Sequence, residues 1–220
     1  DFRCSENRVA TASKFITKLW NVARFISIFE IKKKPKKLEA LDRWIISDLS
    51  RLINECLNGY KDFNFFIPSN AVREWLWNVF ASNYIELVKP RAYARGFSES
   101  ETASAHFTLH HCLQNVLILL APIIPFVTDH IFRQLYGKSV HSLRFPKPIR
   151  VRCDIDTEKL LELNGKIWKE KRSRGLSLRA EIEKAVIPNQ FKPIEKDLKA
   201  AHNIKKIEFG TNLELGFENA

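Results

Sequence analysis

The chain has 220 residues, of which 45% are hydrophobic and 28% are charged, a composition that favours a packed soluble protein and excludes a disordered one. Its formal net charge of +11 at pH 7 indicates a polyanionic partner, with a basic but otherwise ordinary surface as the alternative. No apolar run reaches the roughly 18 residues that a membrane-spanning helix needs.

The positive charge is concentrated in the first two thirds of the chain. Residues 1–150 carry 22 Lys and Arg against 13 Asp and Glu, whereas residues 151–220 carry 14 against 12. The four cysteines lie far apart without a C-x-x-C pair, which argues against a zinc knuckle or a disulfide framework and favours free thiols in the cytoplasm. Because the chain contains no methionine, we expect it to be a piece of a longer protein.

Apolar residues at helical spacing predict five helices in the first part of the chain. Gly59 is expected to end the second helix and Pro90 to kink or interrupt the third. Ser98 and Glu101 have the spacing of a capping box at the start of the fourth. The predicted helices cover residues 6–30, 39–58, 68–95, 98–120 and 125–135.

The sequence pattern changes near residue 150, where we place a domain boundary. Pro146 and Pro148 predict an extended strap before it, and Thr157 is expected to cap a helix after it. Helix alternating with strand implies a small α/β unit. Its predicted elements are helices at 157–174 and 193–201 and strands at 185–187, 204–209 and 213–217. The expected fold is therefore mainly α, with an antiparallel helical bundle over 1–150 and a small α/β appendage over 151–220.

The sequence carries no motif that indicates catalysis. It lacks the G-x-G-x-x-G fingerprint, the P-loop and the G-x-S-x-G nucleophile turn. His106 and His110 lie four residues apart on a predicted helix, a spacing that can hold zinc, but no glutamate base lies between them. We therefore expect no catalytic residue and no metal site, with a metallo-hydrolase that uses these two histidines as an alternative.

The first predicted helix has a polar face that core packing does not explain. Lys14, Lys18 and Asn21 follow helical steps of four and three, and Trp20 lies four residues before Arg24. Such a face suits unpaired RNA, because cations contact phosphates, aromatic rings stack on bases and amides read base edges. The alternative is a core tryptophan beside solvated lysines.

Two further polar clusters lie later in the chain. If the third helix neighbours the first, its cluster opens onto the same concave face. The cluster in the appendage has the charge to follow an RNA backbone, with a solvated helix face as the alternative. The first cluster comprises Asn83, Glu86, Lys89, Arg91 and Arg95; the second comprises Lys166, Lys169, Lys171, Arg172, Arg174 and Arg179.

Five segments of the sequence carry a resemblance to known proteins: F-R-C-S-E-N-R at 2–8, K-L-W-N-V-A-R-F at 18–25, D-R-W-I-I-S at 42–47, Y-I-E-L-V-K-P-R at 84–91 and L-A-P-I-I-P-F at 120–126. In this order they resemble segments of class I aminoacyl-tRNA synthetases for valine, isoleucine and leucine. The segment at 84–91 is typical of the valine-specific enzymes, whereas isoleucine enzymes usually carry a more acidic version. The order and spacing of the segments identify the chain as a member of this superfamily, with the valine type as the best match.

The resemblance implies a helical anticodon-binding domain with a C-terminal appendage, taken from an enzyme that ligates valine to tRNA with ATP. In the family the H-I-G-H and K-M-S-K-S motifs that bind ATP lie upstream, so we expect no cofactor in this chain. The expected partners are a valine-specific tRNA and the catalytic domain of the same parent chain, in a monomeric protein without membrane contact. The alternatives are the equivalent fragment of an isoleucine enzyme and a helical protein-interaction scaffold with incidental charge.

By position, the resemblance places anticodon contacts near the end of the first helix and after the Y-x-E block. Side-chain chemistry agrees, because arginine can make bidentate or stacking contacts, tryptophan can stack and asparagine can read a base edge. Together with the cations of the appendage, the residues expected to bind tRNA are Lys18, Trp20, Asn21, Arg24, Lys89, Arg91, Arg95, Lys171, Arg172 and Arg174.

Overall fold

The bundle predicted for the first part of the chain is present in the computed structural model, which describes residues 5–217 except for the side chains of residues 7 and 8. The thiols of Cys56, Cys112 and Cys153 are free, as expected. The first three residues of the first resembling segment, at 2–4, lie outside the described residues, and Cys4 is one of them. The bundle helices are α1 (Glu6–Ile26), α2 (Ala40–Lys61), α3 (Phe66–Glu74), α4 (Ile85–Ala92), α5 (Glu99–Leu120) and α6 (Pro125–Tyr136).

A small α/β appendage follows the bundle. It consists of α7 (Thr157–Ser173), β1 (Ile182–Pro188), α8 (Glu195–His202), β2 (Ile204–Gly210) and β3 (Glu214–Gly216). β1 is the central strand of a three-stranded sheet, parallel to β2 and antiparallel to β3. The predicted fold class is therefore confirmed, while the boundary near residue 150 stays a prediction.

Helix α5 lies at the centre of the bundle. Its residues Leu109, Leu113 and Val116 are fully buried, and it contacts α1, α2, α4 and α6. The predicted capping box is formed at its start, where the Ser98 amide donates to the Glu101 carboxylate at 2.7 Å and the Glu101 amide donates to the Ser98 hydroxyl at 3.3 Å. The spacing of the buried residues determines the inward face of α5 and the capping box determines its start, as predicted from the sequence.

The third predicted helix is continuous from α3 to α4 but changes its hydrogen-bonding pattern. Residues Trp75–Tyr84 form a π-helical segment between them. The expectation that Pro90 interrupts the helix is wrong, because Pro90 lies inside α4 and the irregular segment precedes it. The helix ends at Ala92 rather than near residue 95, and Ala94 just beyond it has a left-handed φ of 54°.

Gly59 does not end α2, which continues to Lys61. Its role is close packing instead. A Cβ atom at Gly59 would lie 2.8 Å from the Cδ atom of Pro68, which is closer than two carbon atoms approach when they are not bonded to each other. The missing side chain therefore lets the start of α3 lie against the end of α2.

Two further helix ends differ from the prediction. Helix α1 ends at Ile26 rather than near residue 30, because Phe29 turns back into the core and its amide donates to the Ile26 carbonyl at 3.1 Å. The cap of α7 is Asp156, whose carboxylate accepts from the Lys159 amide at 2.9 Å. The prediction that Thr157 caps α7 is therefore wrong. Thr157 is the first residue of that helix, and its hydroxyl donates to the Asp48 carboxylate instead.

The appendage contacts the bundle through buried polar side chains. The Asp48 carboxylate on α2 accepts from the Trp75 indole at 2.8 Å and from the Thr157 hydroxyl at 2.7 Å. Asn164 of α7 donates to the Asn83 side chain at 2.9 Å. Hydrogen bonds of this kind fix the orientation of α7 against the bundle. Across residues 5–217, no helix combines the length and the apolar character required to cross a membrane.

Candidate nucleic-acid interface

The outward face of α1 carries Trp20, Asn21 and Arg24. Leu19 and Ile26 are buried, and the rotation of about 100° per residue in a helix turns the three side chains away from the core. Trp20 is 46% exposed, so the alternative of a core tryptophan is wrong. Asn21 and Arg24 are also exposed, and all three side chains are accessible to a ligand.

Trp20 forms one wall of a groove of about 310 Å³ between α1 and α6. Its ring stacks on that of the exposed His130, with centroids 5.7 Å apart and planes inclined by 18°. Arg24 and Gln134 line the same groove. An aromatic pair beside a guanidinium and an amide suits a nucleobase, because the rings can stack on the base while the polar groups contact its edge or a phosphate.

The opposite flank of α1 lies against the π segment and α4. The Lys18 ammonium is 5.4 Å from the centroid of the Trp77 ring, and the Lys89 ammonium is 5.7 Å from that of Phe25. The two clusters predicted on the first and third helices are therefore neighbours. Lys89 also pairs with Glu86 at 2.6 Å, so part of its charge is neutralised within the chain.

The turn after α4 extends this flank. Tyr93 is 43% exposed and packs edge-on against Phe29 with ring centroids 5.2 Å apart. The Arg95 guanidinium lies 5.4 Å from the Tyr93 ring, and Trp77 is 38% exposed. Cations and accessible rings thus surround α1 on both sides. We call this set the α1 surface: Lys18, Trp20, Asn21, Arg24, Trp77, Lys89, Tyr93, Arg95 and His130.

Trp77, Tyr93 and His130 are members of the α1 surface that the sequence analysis missed. For Trp77 a signal was available, because it lies beside the buried positions Leu76 and Phe80 and not on their face. Tyr93 stands between two predicted cations in sequence. For His130 no local signal exists, because its stacking on Trp20 depends on how α1 and α6 pack.

Arg91 is not part of this surface, and its predicted tRNA contact is wrong. The residue is 1% exposed, and its guanidinium donates to Asp42 at 2.6 and 2.7 Å and to Asp197 at 2.9 Å. The spacing already indicated burial, since Arg91 follows Tyr84 and Val88 at steps of four and three on a buried face. We call Asp42, Arg91 and Asp197 the buried ion cluster; it joins α2, α4 and α8.

The predicted tRNA contact of Lys171 is also wrong. The residue is 0% exposed, and its ammonium donates to the carbonyls of Leu178, Ala180 and His202 at 3.0, 2.7 and 2.7 Å. It therefore holds the connection between α7 and β1. Lys171 lies four residues after the buried Ile167, a spacing that places it on the inward face of α7.

Arg172 and Arg174 are exposed, as a tRNA contact requires. Arg174 pairs with Glu170 at 2.8 Å, and its guanidinium lies 4.7 Å from the Phe217 ring. Arg172 forms no ion pair with any residue in the described part of the chain. Arg172 lies on α7 and Arg174 directly after it, on different elements from the α1 surface.

The two histidines of the metallo-hydrolase alternative serve as hydrogen-bonding groups in the bundle. The Nε2 atom of His106 lies 2.9 Å from the carbonyl oxygen of Ala92, and that of His110 lies 2.9 Å from the carbonyl oxygen of Phe29. Burial lowers the pKa of His110. Among residues 5–217 no three histidine, cysteine or carboxylate side chains are grouped to hold a metal ion, so this alternative has no site there.

Comparison with known proteins agrees with the geometry. The family described as the anticodon-binding domain of tRNA ligase matches residues 42–187. The valine–tRNA ligase of Aeropyrum pernix is 35% identical over 213 residues, which cover 92% of this chain and 26% of that protein. That of Pyrobaculum aerophilum is 33% identical over 220 residues, covering 97% and 28%. The chain thus spans about a quarter of the length of these relatives.

Proposed function

The chain belongs to the family of anticodon-binding domains of tRNA ligases, and from this premise we propose that it binds the anticodon loop of a valine tRNA as part of a larger valine–tRNA ligase. The observation that carries the proposal is the α1 surface, in which exposed rings and cations lie together on both sides of one helix. The relatives named above are valine–tRNA ligases, which supports the choice of amino acid.

The α1 surface has the groups that recognition of a looped-out anticodon needs. Trp20 with His130 offers a stacking platform on one flank, and Tyr93 offers a second ring on the other. Stacking of a base on an aromatic side chain contributes roughly 1–3 kcal/mol and tolerates any base. Selectivity then comes from the Asn21 amide and the Arg24 guanidinium, which can hydrogen bond to base edges.

Cations around the α1 surface contribute affinity rather than selectivity. Lys18 and Arg95 lie at its border, each over an aromatic ring, with their charges available to phosphates. In this proposal the transfer of valine and the use of ATP take place in other parts of the parent ligase. The chain itself binds no cofactor and works within a monomeric cytoplasmic enzyme whose catalytic domain is its partner.

The proposal is tested by filter binding of the chain to a valine tRNA transcript and to the same transcript with an exchanged anticodon. We expect the exchange to weaken binding, and Arg24→Ala and Trp20→Ala each to weaken binding of the valine transcript by about tenfold, the equivalent of one stacking or bidentate contact. An isoleucine tRNA transcript separates the valine type from the isoleucine type. Equal affinity for the original and the exchanged anticodon would refute anticodon recognition.

Arg144→Ala provides a matched control for Arg24→Ala. Arg144 is exposed and precedes Phe145, whose ring packs on Tyr60 near the C-terminal end of α5. The part of the α1 surface that includes Tyr93 lies near the opposite end of α5, because His106 of α5 contacts the carbonyl of the neighbouring Ala92. Removal of either arginine changes the net charge equally, so only a contact-specific effect distinguishes the two variants.

A further inference from the structure

Helix α7 presents a strip of positive charge that the chain itself does not neutralise. Two of its three carboxylates are already occupied, since Glu162 pairs with Lys166 at 2.7 Å and Glu170 pairs with Arg174 at 2.8 Å. The third, Glu158, lies in the first turn of the helix, eleven residues before Lys169. Lys169 and Arg172 are exposed and have no ion-pair partner within residues 5–217. The outward side of α7 therefore carries two uncompensated cations one helical turn apart.

These two cations border a groove of about 410 Å³ on the same helix face, which we call the α7 groove. Trp168 lies in it, partly exposed and held in place by contact with the buried His202, with ring centroids 5.6 Å apart. Gly165 leaves the groove open at one end, because nothing lies within 4 Å of the position its Cβ would take. A partly exposed indole beside two cations without ion pairs thus lines the groove.

The α7 groove lies toward the same end of the molecule as Lys89 of the α1 surface. Thr157 and Trp75 share the Asp48 carboxylate, and Asn164 bonds to Asn83, so α7 runs beside the π segment and α4 in the same direction. Lys169 is five residues beyond Asn164 and Lys89 is six beyond Asn83. At about 1.5 Å per residue, both lie some 7–9 Å past this contact.

We propose that the α7 groove is a second RNA contact, which holds the sugar–phosphate backbone of the bound tRNA outside the anticodon loop. Charge complementarity carries the choice of partner, because two free cations suit phosphates and the indole can pack against a ribose or an unpaired base. Such a contact positions the RNA and reads no sequence. The inference rests on the proposed function for the identity of the RNA.

The test compares the chain with its Lys169→Ala, Arg172→Ala double variant in filter binding to a valine tRNA transcript across a salt series. Each phosphate contact contributes about 0.7–0.9 to the slope of log affinity against log salt, so loss of two contacts reduces the slope by about 1.4–1.8. We expect affinity to fall by about tenfold at low salt, as the loss of two phosphate contacts implies. The ratio of affinities for original and exchanged anticodons stays the same.

Lys184→Ala with Lys206→Ala is the matched control, because it removes the same charge from the sheet. Both lysines pair with Glu208 at 2.8 and 2.9 Å, so we expect a smaller change of slope. If the α7 variant and the control give the same slope as the original chain, the RNA contact is refuted and an acidic protein surface becomes the better occupant. If the α7 variant alters anticodon discrimination, the contact is not confined to backbone and the inference is wrong.

The two proposals fail in different ways. If the original chain binds both anticodon transcripts equally, the proposed function fails whatever the α7 variant does. If it discriminates between them but the α7 variant retains its full salt slope, only the second contact fails. Thermal unfolding of each variant verifies folding, which exposed substitutions of this kind leave within about 0.5 kcal/mol of the original.

Discussion

The buried ion cluster and the α1 surface use the same kind of side chain for opposite purposes. Arg91 is enclosed between two carboxylates and joins α2, α4 and α8. Arg24, on a neighbouring helix, faces an open groove with no ion-pair partner in the described residues. Removing a charge from water is unfavourable unless it is paired, so the inner arginine is committed to its carboxylates and only the outer one is available to a ligand.

The appendage repeats the contrast within two adjacent residues. Lys171 is buried and holds three backbone carbonyls, while Arg172 is exposed and unpaired within residues 5–217. A step of one residue turns a helical side chain by about 100°, which separates the two environments. The net positive charge of the chain is therefore an incomplete guide to which residues are accessible to RNA, because part of it stabilises the interior.

The sharpest test of the contrast is Arg91→Ala. This change leaves Asp42 and Asp197 buried without their counter-charge, and we expect the free energy of unfolding to fall by about 3–5 kcal/mol. Urea unfolding followed by circular dichroism measures the loss. Arg95→Ala, at an exposed position, serves as the control and should change stability by less than about 0.5 kcal/mol. If the Arg91→Ala variant were stable but bound tRNA more weakly, the assignment of Arg91 to the interior would be contradicted.

Lys171→Met tests the same contrast in the appendage. The substitution keeps the length of the apolar stem but removes the donor to three carbonyls, and we expect a loss of about 2–3 kcal/mol in the free energy of unfolding. Arg172→Ala should leave stability within about 0.5 kcal/mol. Thermal melts of the two single variants make the comparison, and similar losses in both would contradict the assignment of inner and outer cations.

The interior also predicts a dependence of stability on pH. Burial lowers the pKa of His202 to about 3 from its usual 6.5, and the Lys171 ammonium acts in the same direction. Between these values the unfolded chain binds more protons than the folded one, so stability conferred by the neutral imidazole is present above pH 6.5 and is lost as pH falls. The loss is on the order of 2 kcal/mol by pH 5.

His202→Gln isolates this effect, because glutamine takes up no proton. We expect the difference in unfolding free energy between pH 7 and pH 5 to be smaller in this variant by on the order of 2 kcal/mol. Asp197 acts in the opposite direction in both proteins, since burial raises its pKa to about 6 and acidification relieves its buried charge. The exposed His141→Gln is the control, and an unaltered pH dependence in His202→Gln would disprove the assignment.

Gly165→Ala gives the smallest expected effect and concerns the outer side of α7. Nothing lies within 4 Å of the added methyl group, and the residue is in the interior of a helix. Alanine should therefore raise the free energy of unfolding by about 0.5–1 kcal/mol through the lower entropy of the unfolded chain. Chemical unfolding measures the gain, and a destabilised variant would mean that this side of α7 is packed.

Local sequence patterns were sufficient to predict which segments are helical, but not where every helix ends or how the helices contact each other. The spacing of Leu109, Leu113 and Val116 sets the buried face of α5, and Ser98 with Glu101 sets its start, because both depend on residues close in sequence. The prediction that Gly59 ends α2 was also local, because it used only the frequency of glycine at helix ends. The observed role of Gly59 depends on Pro68, which only the tertiary structure brings against it.

The residues of the candidate site also divide into those that the local sequence predicts and those whose role depends on tertiary contacts. Trp20, Asn21 and Arg24 were predictable because one helix face carries them, whereas the stacking of Trp20 on His130 joins residues 110 positions apart in the chain. Arg91 was assigned to the interface by its position after the Y-x-E block and Lys171 by its charge, although their spacing from Val88 and Ile167 indicated inward faces. Asp197, the second carboxylate of Arg91, lies in a different part of the chain and could not be paired with it from sequence.

The π-helical segment Trp75–Tyr84 determines the angular phase of everything that follows it in the same helix. If one residue were deleted there while the rest of the segment kept its wider π-helical winding, α4 would turn by roughly 100° about its axis. Arg91 would swing away from both carboxylates, and Tyr93 and Arg95 would leave the side of the molecule that α1 occupies. The length of these ten residues thus determines both the pairing of Arg91 with its carboxylates and the side of the molecule on which Tyr93 and Arg95 lie.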